Sequence, residues 1–325
     1  MKELYHWHPV ALSKEVTQKP IQIELHSKKI VLFRNSKNQI QALDDECPHR
    51  RMPLHNGRIL KDQIKCAYHG ICFDKNGNAN QEKNPIPNIK AFAYDTYEFM
   101  ETIWIKPKDS FCSFPYFDLE GYSKIDIFKT EIQAPLELVL DNFTEVEHTP
   151  SVHLFLGYDS SKLTEMNVES FTEEDSVRIK NTGPQKKIPS FIRYFLDLKK
   201  KNLFVDDWTT YFSPVYSIYE QYWIEGEQKN KNQFRIYVFF TPINSKSTQL
   251  FAYTYLKYEK LGHFGFNLFI KLFLKQIVRL EILRDKSALE KIENQDISLK
   301  GLKLTRFDRS LGPNRARIEK IYKGN

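Results

Sequence analysis

Cys47-Pro48-His49 and Cys66-Ala67-Tyr68-His69-Gly70, with sixteen residues between His49 and Cys66, decide how this chain of 325 residues is read. Each cluster holds one thiolate and one imidazole, close enough in sequence for one tight loop to aim both at a single point. Two such loops make a four-ligand site. Soft thiolates select zinc, copper(I) or iron-sulfur centres, so the ligand types alone leave more than one metal open. Structural zinc sites usually keep a cysteine pair on one knuckle and histidines or further cysteines on the other, whereas both knuckles here are mixed. A cluster with two cysteines on one iron and two histidines on the other is served by loops that each give one of each.

Around these clusters, residues 21 to 25, 29 to 33 and 39 to 43 are short alternating or β-branched apolar runs separated by polar breaks. They read as antiparallel strands joined by tight turns. After His69, Asn76-Gly77 is a strong hairpin signal, and Asn84-Pro85-Ile86-Pro87 is too proline-rich for a central strand. Strands resume toward Trp104 and Ile105. The expectation is a small all-β domain with the four ligands at its loop tips.

The two clusters resemble the Rieske signature, Cys-x-His followed about sixteen residues later by Cys-x-x-His. Trp7-His8-Pro9-Val10, Cys-Pro-His-Arg at 47 to 50, Pro53-Leu54, Cys-x-Tyr-His-Gly at 66 to 70 and Phe73-Asp74 are together similar to the N-terminal domain of Rieske non-haem iron oxygenases. Ile71-Cys72 departs from the family, in which many relatives place a tryptophan after the glycine. That position packs and does not ligate, so Cys72 is expected to be a small buried hydrophobe. His6, His8, His26 and His55 have no partner at ligand spacing and are assigned no chemistry.

A second polar concentration lies further on. After Pro135 a helical pattern runs through Leu136, Val139, Leu140 and Phe143 into Asp141 to His153, which holds three carboxylates and two histidines in thirteen residues. Five residues of regular helix turn a side chain by about 140°, so His148 and His153 cannot face one metal on an unbroken helix. Pro150 is expected to end or kink that helix and return His153 toward His148. Two imidazoles and a carboxylate on one face of an iron form the facial triad of non-haem Fe(II) oxygenases. Asn142-x-x-Glu145-x-x-His148-x-x-x-x-His153 is similar to the family's Asn-x-x-Asp-x-x-His-x-x-x-x-His. The resemblance makes His148 and His153 ligands of a mononuclear iron and gives Asn142 and Glu145 the catalytic positions beside them. Glu145 would stand for the family's bridging aspartate, with Glu147 the weaker candidate.

Residues 264 to 292 carry a helical pattern with Val278, Ile282, Leu289 and Ile292 on one stripe, and Asp285 falls on that stripe. A carboxylate on a buried face needs a cation to offset its desolvation, which sets Asp285 apart from Glu281 and Glu290. Its setting looks like the family's third-ligand segment. Asp285 is expected to be the third iron ligand, with a salt bridge to Arg284 or Lys286 as the alternative. Lys271, Lys275 and Arg279 at four-residue spacing read as a solvated basic face, with a membrane-lying surface as the second reading. Residues 205 to 258 read as an aromatic-rich antiparallel sheet. Gln185 to Lys201 reads either as a lid or as an amphipathic surface helix.

Hydrophobic residues make up 41% and aromatics 14% of the chain, and the net charge is +7, spread along its length. This is an ordinary globular composition with no case for nucleic-acid binding. Four cysteines, two of them already assigned as ligands, give no disulfide framework and fit a reducing, cytoplasmic compartment. The first residues do not form a signal peptide, no uncharged stretch of eighteen residues spans a bilayer, and no glycine-rich dinucleotide fingerprint occurs.

The resemblance implies an α+β fold. A Rieske [2Fe-2S] domain over 5–108 would precede a helix-grip (START-like) catalytic domain of antiparallel sheet and long helix over 109–325. It further implies the terminal oxygenase component of a multicomponent system, of the monooxygenase or O-demethylase type. Such a component uses dioxygen and electrons from a separate ferredoxin or flavin-dependent reductase to hydroxylate or oxidatively demethylate an apolar or aromatic molecule. Electrons would enter the cluster at Cys47, His49, Cys66 and His69. They would cross a subunit boundary of a homotrimer through His69, Glu145 and His148, and dioxygen would be activated at the iron of His148, His153 and Asp285. A Rieske electron carrier without oxygenase activity and a zinc-stabilised interaction protein are the alternatives.

Overall fold

The computed structural model describes residues 2–196, 198–199, 201–258 and 264–324. Two compact units divide the chain, Met1–Pro115 with Thr241–Ser245, and Tyr116–Phe240 with Lys246–Asn325.

The first unit is built from β1 (His8–Leu12), β2 (Ile21–Leu25), β3 (Lys28–Arg34), β4 (Ile40–Asp44), β5 (Arg58–Leu60), β6 (Gln63–Lys65), β7 (Cys72–Phe73), β8 (Asn78–Gln81), β9 (Asn84–Lys90), β10 (Ala93–Phe99) and β11 (Thr102–Pro107). One sheet runs β1-β11-β10-β4-β3-β2 and a smaller one β5-β6-β7-β8-β9. The apolar run Ile30-Val31-Leu32-Phe33 explains their stacking. Ile30 and Leu32 enter one core with Val10, Leu25 and Ile103, while Val31 and Phe33 enter the other with Leu43, Ile64, Phe73, Cys47 and Cys66. A strand buried on both faces reads as continuous apolar sequence. At the Asn76-Gly77 hairpin Gly77 has φ +77°, and a Cβ there would lie 1.9 Å from the Ala91 carbonyl oxygen, so only glycine fits. The proline-rich segment is a strand, β9, held at the free edge where missing N–H groups cost no ladder bond. Among the unassigned histidines, His55 is bound by the buried carboxylate of Asp45 through its Nδ1 at 2.5 Å.

The second unit contains β12 (Ser123–Ile132), α1 (Leu136–Phe143), α2 (Thr149–Val152), β13 (Asn167–Thr172), β14 (Ser176–Pro184), α3 (Ser190–Phe195), β15 (Leu203–Phe212), β16 (Val215–Glu225), β17 (Gln228–Asn244), β18 (Ser247–Lys257), α4 (Phe264–Leu289) and α5 (Leu311–Arg317). Its seven-stranded sheet is ordered β12-β18-β17-β16-β15-β14-β13. The two-residue period of the aromatic runs assigns their faces. Phe204, Trp208, Phe212, Tyr219, Trp223, Phe234 and Phe240 point to the core shared with Ile277, Val278 and Ile282 of α4. Of the two readings for 185–201, the described part favours the helix: Ile192 and Leu196 are buried, while Phe191 and Tyr194 are exposed.

The solvated basic face expected on α4 is corrected. Lys275 and Arg279 converge on Asp126 of β12, at 3.2 Å and 2.5 Å, and Asp126 is buried. A helix's own periodicity does not reveal a carboxylate on the strand it packs against. No helix among the described residues is long and apolar enough to cross a membrane.

Candidate functional site

The Cys47 and Cys66 loops of the first unit are closed in the same way. Cys47 N–H donates to the Met52 carbonyl and Arg51 N–H returns to the Cys47 carbonyl; Cys66 N–H donates to Ile71 and Gly70 N–H returns to Cys66. In each loop the residue four past the cysteine has positive φ, +58° at Arg51 and +73° at Gly70. The repeated geometry buries both thiols and sets them next to one another. Burial is the main force pushing the Cys47 thiol up and the Cys66 sulfur adds to it, while the His49 and Arg50 backbone N–H groups oppose them. The His49 and His69 rings meet edge-on at 4.6 Å, and Tyr68 covers His69. Cysteines form one pair and histidines another, which is the donor arrangement of a two-iron cluster with unlike ends. Cys72 is buried, with its thiol toward the Gly70 carbonyl.

In the second unit His148, His153 and Asp285 come together, with ligand atoms all within 4.8 Å. Asp285 Oδ1 lies 3.2 Å from His148 Nε2 and 2.9 Å from His153 Nε2. Donors about 2.1 Å from an ion and at right angles stand about 3.0 Å apart. His148 Nε2 is buried without a hydrogen-bond partner, the lone pair a metal would take. Arg284 and Lys286 do not pair with Asp285. Arg284 donates to the Val152 carbonyl, and Lys286 to Glu131 and Glu290.

The chain break expected at Pro150 occurs earlier. Helix α1 already stops at Phe143, and Pro150 sits in the first turn of the one-turn helix α2, with His148 as its N-cap and His153 as its C-cap. Proline is accommodated at a helix start, where its missing N–H would have no partner. The stop at Thr144 is held from the far end of the chain, because Ser310 Oγ donates to the Thr144 carbonyl and Asn314 Nδ2 to its hydroxyl.

Glu145 accepts from His148 Nδ1 through one oxygen and from the His148 and Glu147 backbone N–H groups through the other. A carboxylate on Nδ1 fixes the tautomer that leaves Nε2 free for a metal. Glu147 instead turns to the Thr305 hydroxyl at 2.6 Å. Burial works against protonated His148, but Asp285 and Glu145 override it and raise its pKa to about 10. The same pair of imidazoles holds Asp285 below the usual carboxylate range despite its burial. In both cases the pocket is arranged around positive charge. Asn142 lines the cavity beside them.

Sequence reasoning set Glu281 aside as an ordinary neighbour, and the structure corrects this. One turn before Asp285, Glu281 is equally buried, and its carboxylate takes the N–H groups of Leu154 at 3.0 Å, Phe155 at 2.6 Å and Leu156 at 3.2 Å. Lys186 Nζ binds the His153 carbonyl at 2.6 Å from the other side. Opposite charges thus hold both polarities of the peptide groups that aim His153. The signal was the i, i+4 spacing of Glu281 and Asp285 on one stripe. Lys186 carried none. A cavity of about 90 Å³ adjoins the triad, walled by apolar side chains of the sheet and α4 and by Asp206 and Gln221.

Residues 6–93 match the family described as Rieske [2Fe-2S] domain, and residues 132–321 match the vanillate O-demethylase oxygenase C-terminal domain. The chain is 29% identical to the phthalate 4,5-dioxygenase oxygenase subunit of Pseudomonas putida, over 46% of this chain and 37% of that protein. It is 27% identical to the dicamba O-demethylase oxygenase component of Stenotrophomonas maltophilia, over 45% of this chain and 46% of that one. The matched stretch therefore spans less than half the length of either relative. The solved structure of dicamba monooxygenase bound to 3,6-dichlorosalicylic acid superposes with TM-score 0.80 at 19% identity, over 99% of this chain and 98% of that one. At that identity the likeness shows the fold.

Proposed function

The chain belongs to the Rieske oxygenases, with a Rieske [2Fe-2S] domain followed by a vanillate O-demethylase-type oxygenase domain, and from this premise we propose that it is the terminal oxygenase component of a multicomponent system. The observation that carries the proposal is the convergence of His148, His153 and Asp285 beside a cavity, with Glu145 on the outer nitrogen of His148. A pure electron carrier has no use for this second centre.

Cys47, Cys66, His49 and His69 would hold the cluster, and His148, His153 and Asp285 the mononuclear iron. When bound, the cluster supplies single electrons and the iron supplies dioxygen activation through open coordination positions. The chain's own residues do the rest. Glu145 keeps His148 in one tautomer, and Glu281 with Lys186 holds His153 in place. Apolar side chains from the sheet and α4 form most of the cavity's wall surface. We assign the domains to 5–108 and 109–325. We further assign a ferredoxin or flavin-dependent reductase as electron donor, a homotrimer in which the partner subunit's His69 reaches Glu145, and a cytoplasmic setting. Hydroxylation or oxidative demethylation of an apolar or aromatic molecule is the reaction class.

Iron and acid-labile sulfide per chain on anaerobically purified protein, with an EPR spectrum after reduction, test this reading. About three irons and two sulfides with a Rieske signal are expected. Two irons in protein supplied with excess Fe(II) would leave an electron carrier. Zinc without sulfide would overturn the assignment.

A further inference from the structure

Strand β15 places Asp206 between Phe204 and Trp208 on the face that meets the helix, 8% exposed in the wall of the cavity that also holds His148 and Asp285. Its cross-strand partner is Gln221, whose Nε2 donates to Asp206 Oδ1 at 3.2 Å. The next residue shows what a structural acid looks like in this sheet. Asp207 faces the opposite side and is clasped by Arg178 through Nε and Nη2, at 2.8 and 2.7 Å. Among the described residues no arginine or lysine clasps Asp206 in this way, although the charge of the nearby His148 ring favours its ionised form.

An ionised carboxylate accepts about four hydrogen bonds, and burying one against a single neutral donor is costly. Burial accordingly pushes the Asp206 carboxyl up to about 7, against the Gln221 hydrogen bond. Asp206 itself lines a cavity whose wall surface, including Phe143, Ile236 and Ile282, is mainly apolar. A polar group buried in this way favours ligands that complete its hydrogen bonds and disfavours isosteres that do not.

Resting on the oxygenase reading of this site, we propose that Asp206, oriented by Gln221, determines substrate specificity and selects small, otherwise apolar molecules bearing an N–H or O–H donor. The donor anchors at the sheet and leaves the apolar remainder among the side chains beside the metal ligands.

Calorimetric titration of the full-length, iron-loaded protein with two matched probe pairs tests this: benzamide against acetophenone, and aniline against fluorobenzene. At about pH 8.5, where a carboxyl with a pKa of about 7 is ionised, the donor of each pair is expected to bind roughly tenfold more tightly or better, as befits one buried hydrogen bond to a charged acceptor. Asp206→Leu should remove the preference while acetophenone and fluorobenzene bind at least as well as before. Asp206→Asn, closer in shape, should weaken it. Equal affinities within both pairs, or no binding of either donor, overturn the proposal. Iron and sulfide analysis of the same samples separates this from the premise. Equal affinities in fully loaded protein refute the selectivity alone, whereas discrimination by protein that takes up neither iron nor sulfide upholds the selectivity and refutes the oxygenase reading.

Discussion

Replacing Glu281 by alanine tests whether His153, a proposed iron ligand, is aimed by the peptide groups that follow it. Three N–H groups, those of Leu154, Phe155 and Leu156, would lose an ionised acceptor at once. At about 1.5–3 kcal/mol per hydrogen bond to a charged group, the gross loss is roughly 4–9 kcal/mol. Part returns because the carboxylate no longer has to be desolvated and because water enters the space left behind, so the net destabilisation is about 3 kcal/mol. For a unit of this size that lowers Tm by about 6–12 °C. Glu281→Gln keeps one carbonyl acceptor in nearly the same place and should cost about half as much. Because the segment that loosens begins at His153, mononuclear iron should fall while cluster iron and sulfide stay constant. Differential scanning calorimetry with iron and sulfide analysis reads both effects. Glu281→Ala melting within about 1 °C of the parent with full iron would refute the argument.

Asp285→Ala should abolish turnover and mononuclear iron while leaving the cluster spectrum intact, and unchanged iron content would remove Asp285 from the ligand set. Glu145→Gln should slow single-turnover electron delivery without emptying either centre, since the amide still occupies the space beside His148 Nδ1; undiminished rates, with slowing in Glu147→Gln instead, would move the bridge to Glu147. An acid whose folded pKa is raised binds its proton more tightly when folded, so the contribution of Asp206 to stability is fully present below about pH 4 and is lost as pH rises toward 7. Asp206→Asn should therefore gain on the parent between those limits and level off above, by at most about 4 kcal/mol, and urea titrations of iron-free protein showing the same difference at pH 5 and pH 8 would contradict this.

What the linear chain determined is what depends on near neighbours. Both ligand loops lie within five residues of their cysteines, and their closure involves only local backbone groups. The hairpin at Asn76-Gly77 and the strands β2 to β4 follow from turn chemistry and a two-residue period, which act over a few bonds. His148 and His153 were legible as a pair for the same reason, although the local cause was misplaced: the helix ends at Phe143 because the tail holds Thr144, not because Pro150 breaks it. Asp285 was legible only as a carboxylate on an apolar stripe; its meeting with His153 spans 132 positions and needs the sheet and α4 to close.

What tertiary structure alone decided are the groups whose partners are remote. Glu281 looked like any helix glutamate until the amides after His153 were laid against it, and Lys275 and Arg279 looked solvated until Asp126 faced them. Asp206 and Asp207 are adjacent and chemically identical, yet one pairs with an arginine while the other lines the cavity. A strand sends successive side chains to opposite faces, and which face is the inside is settled only when the sheet packs.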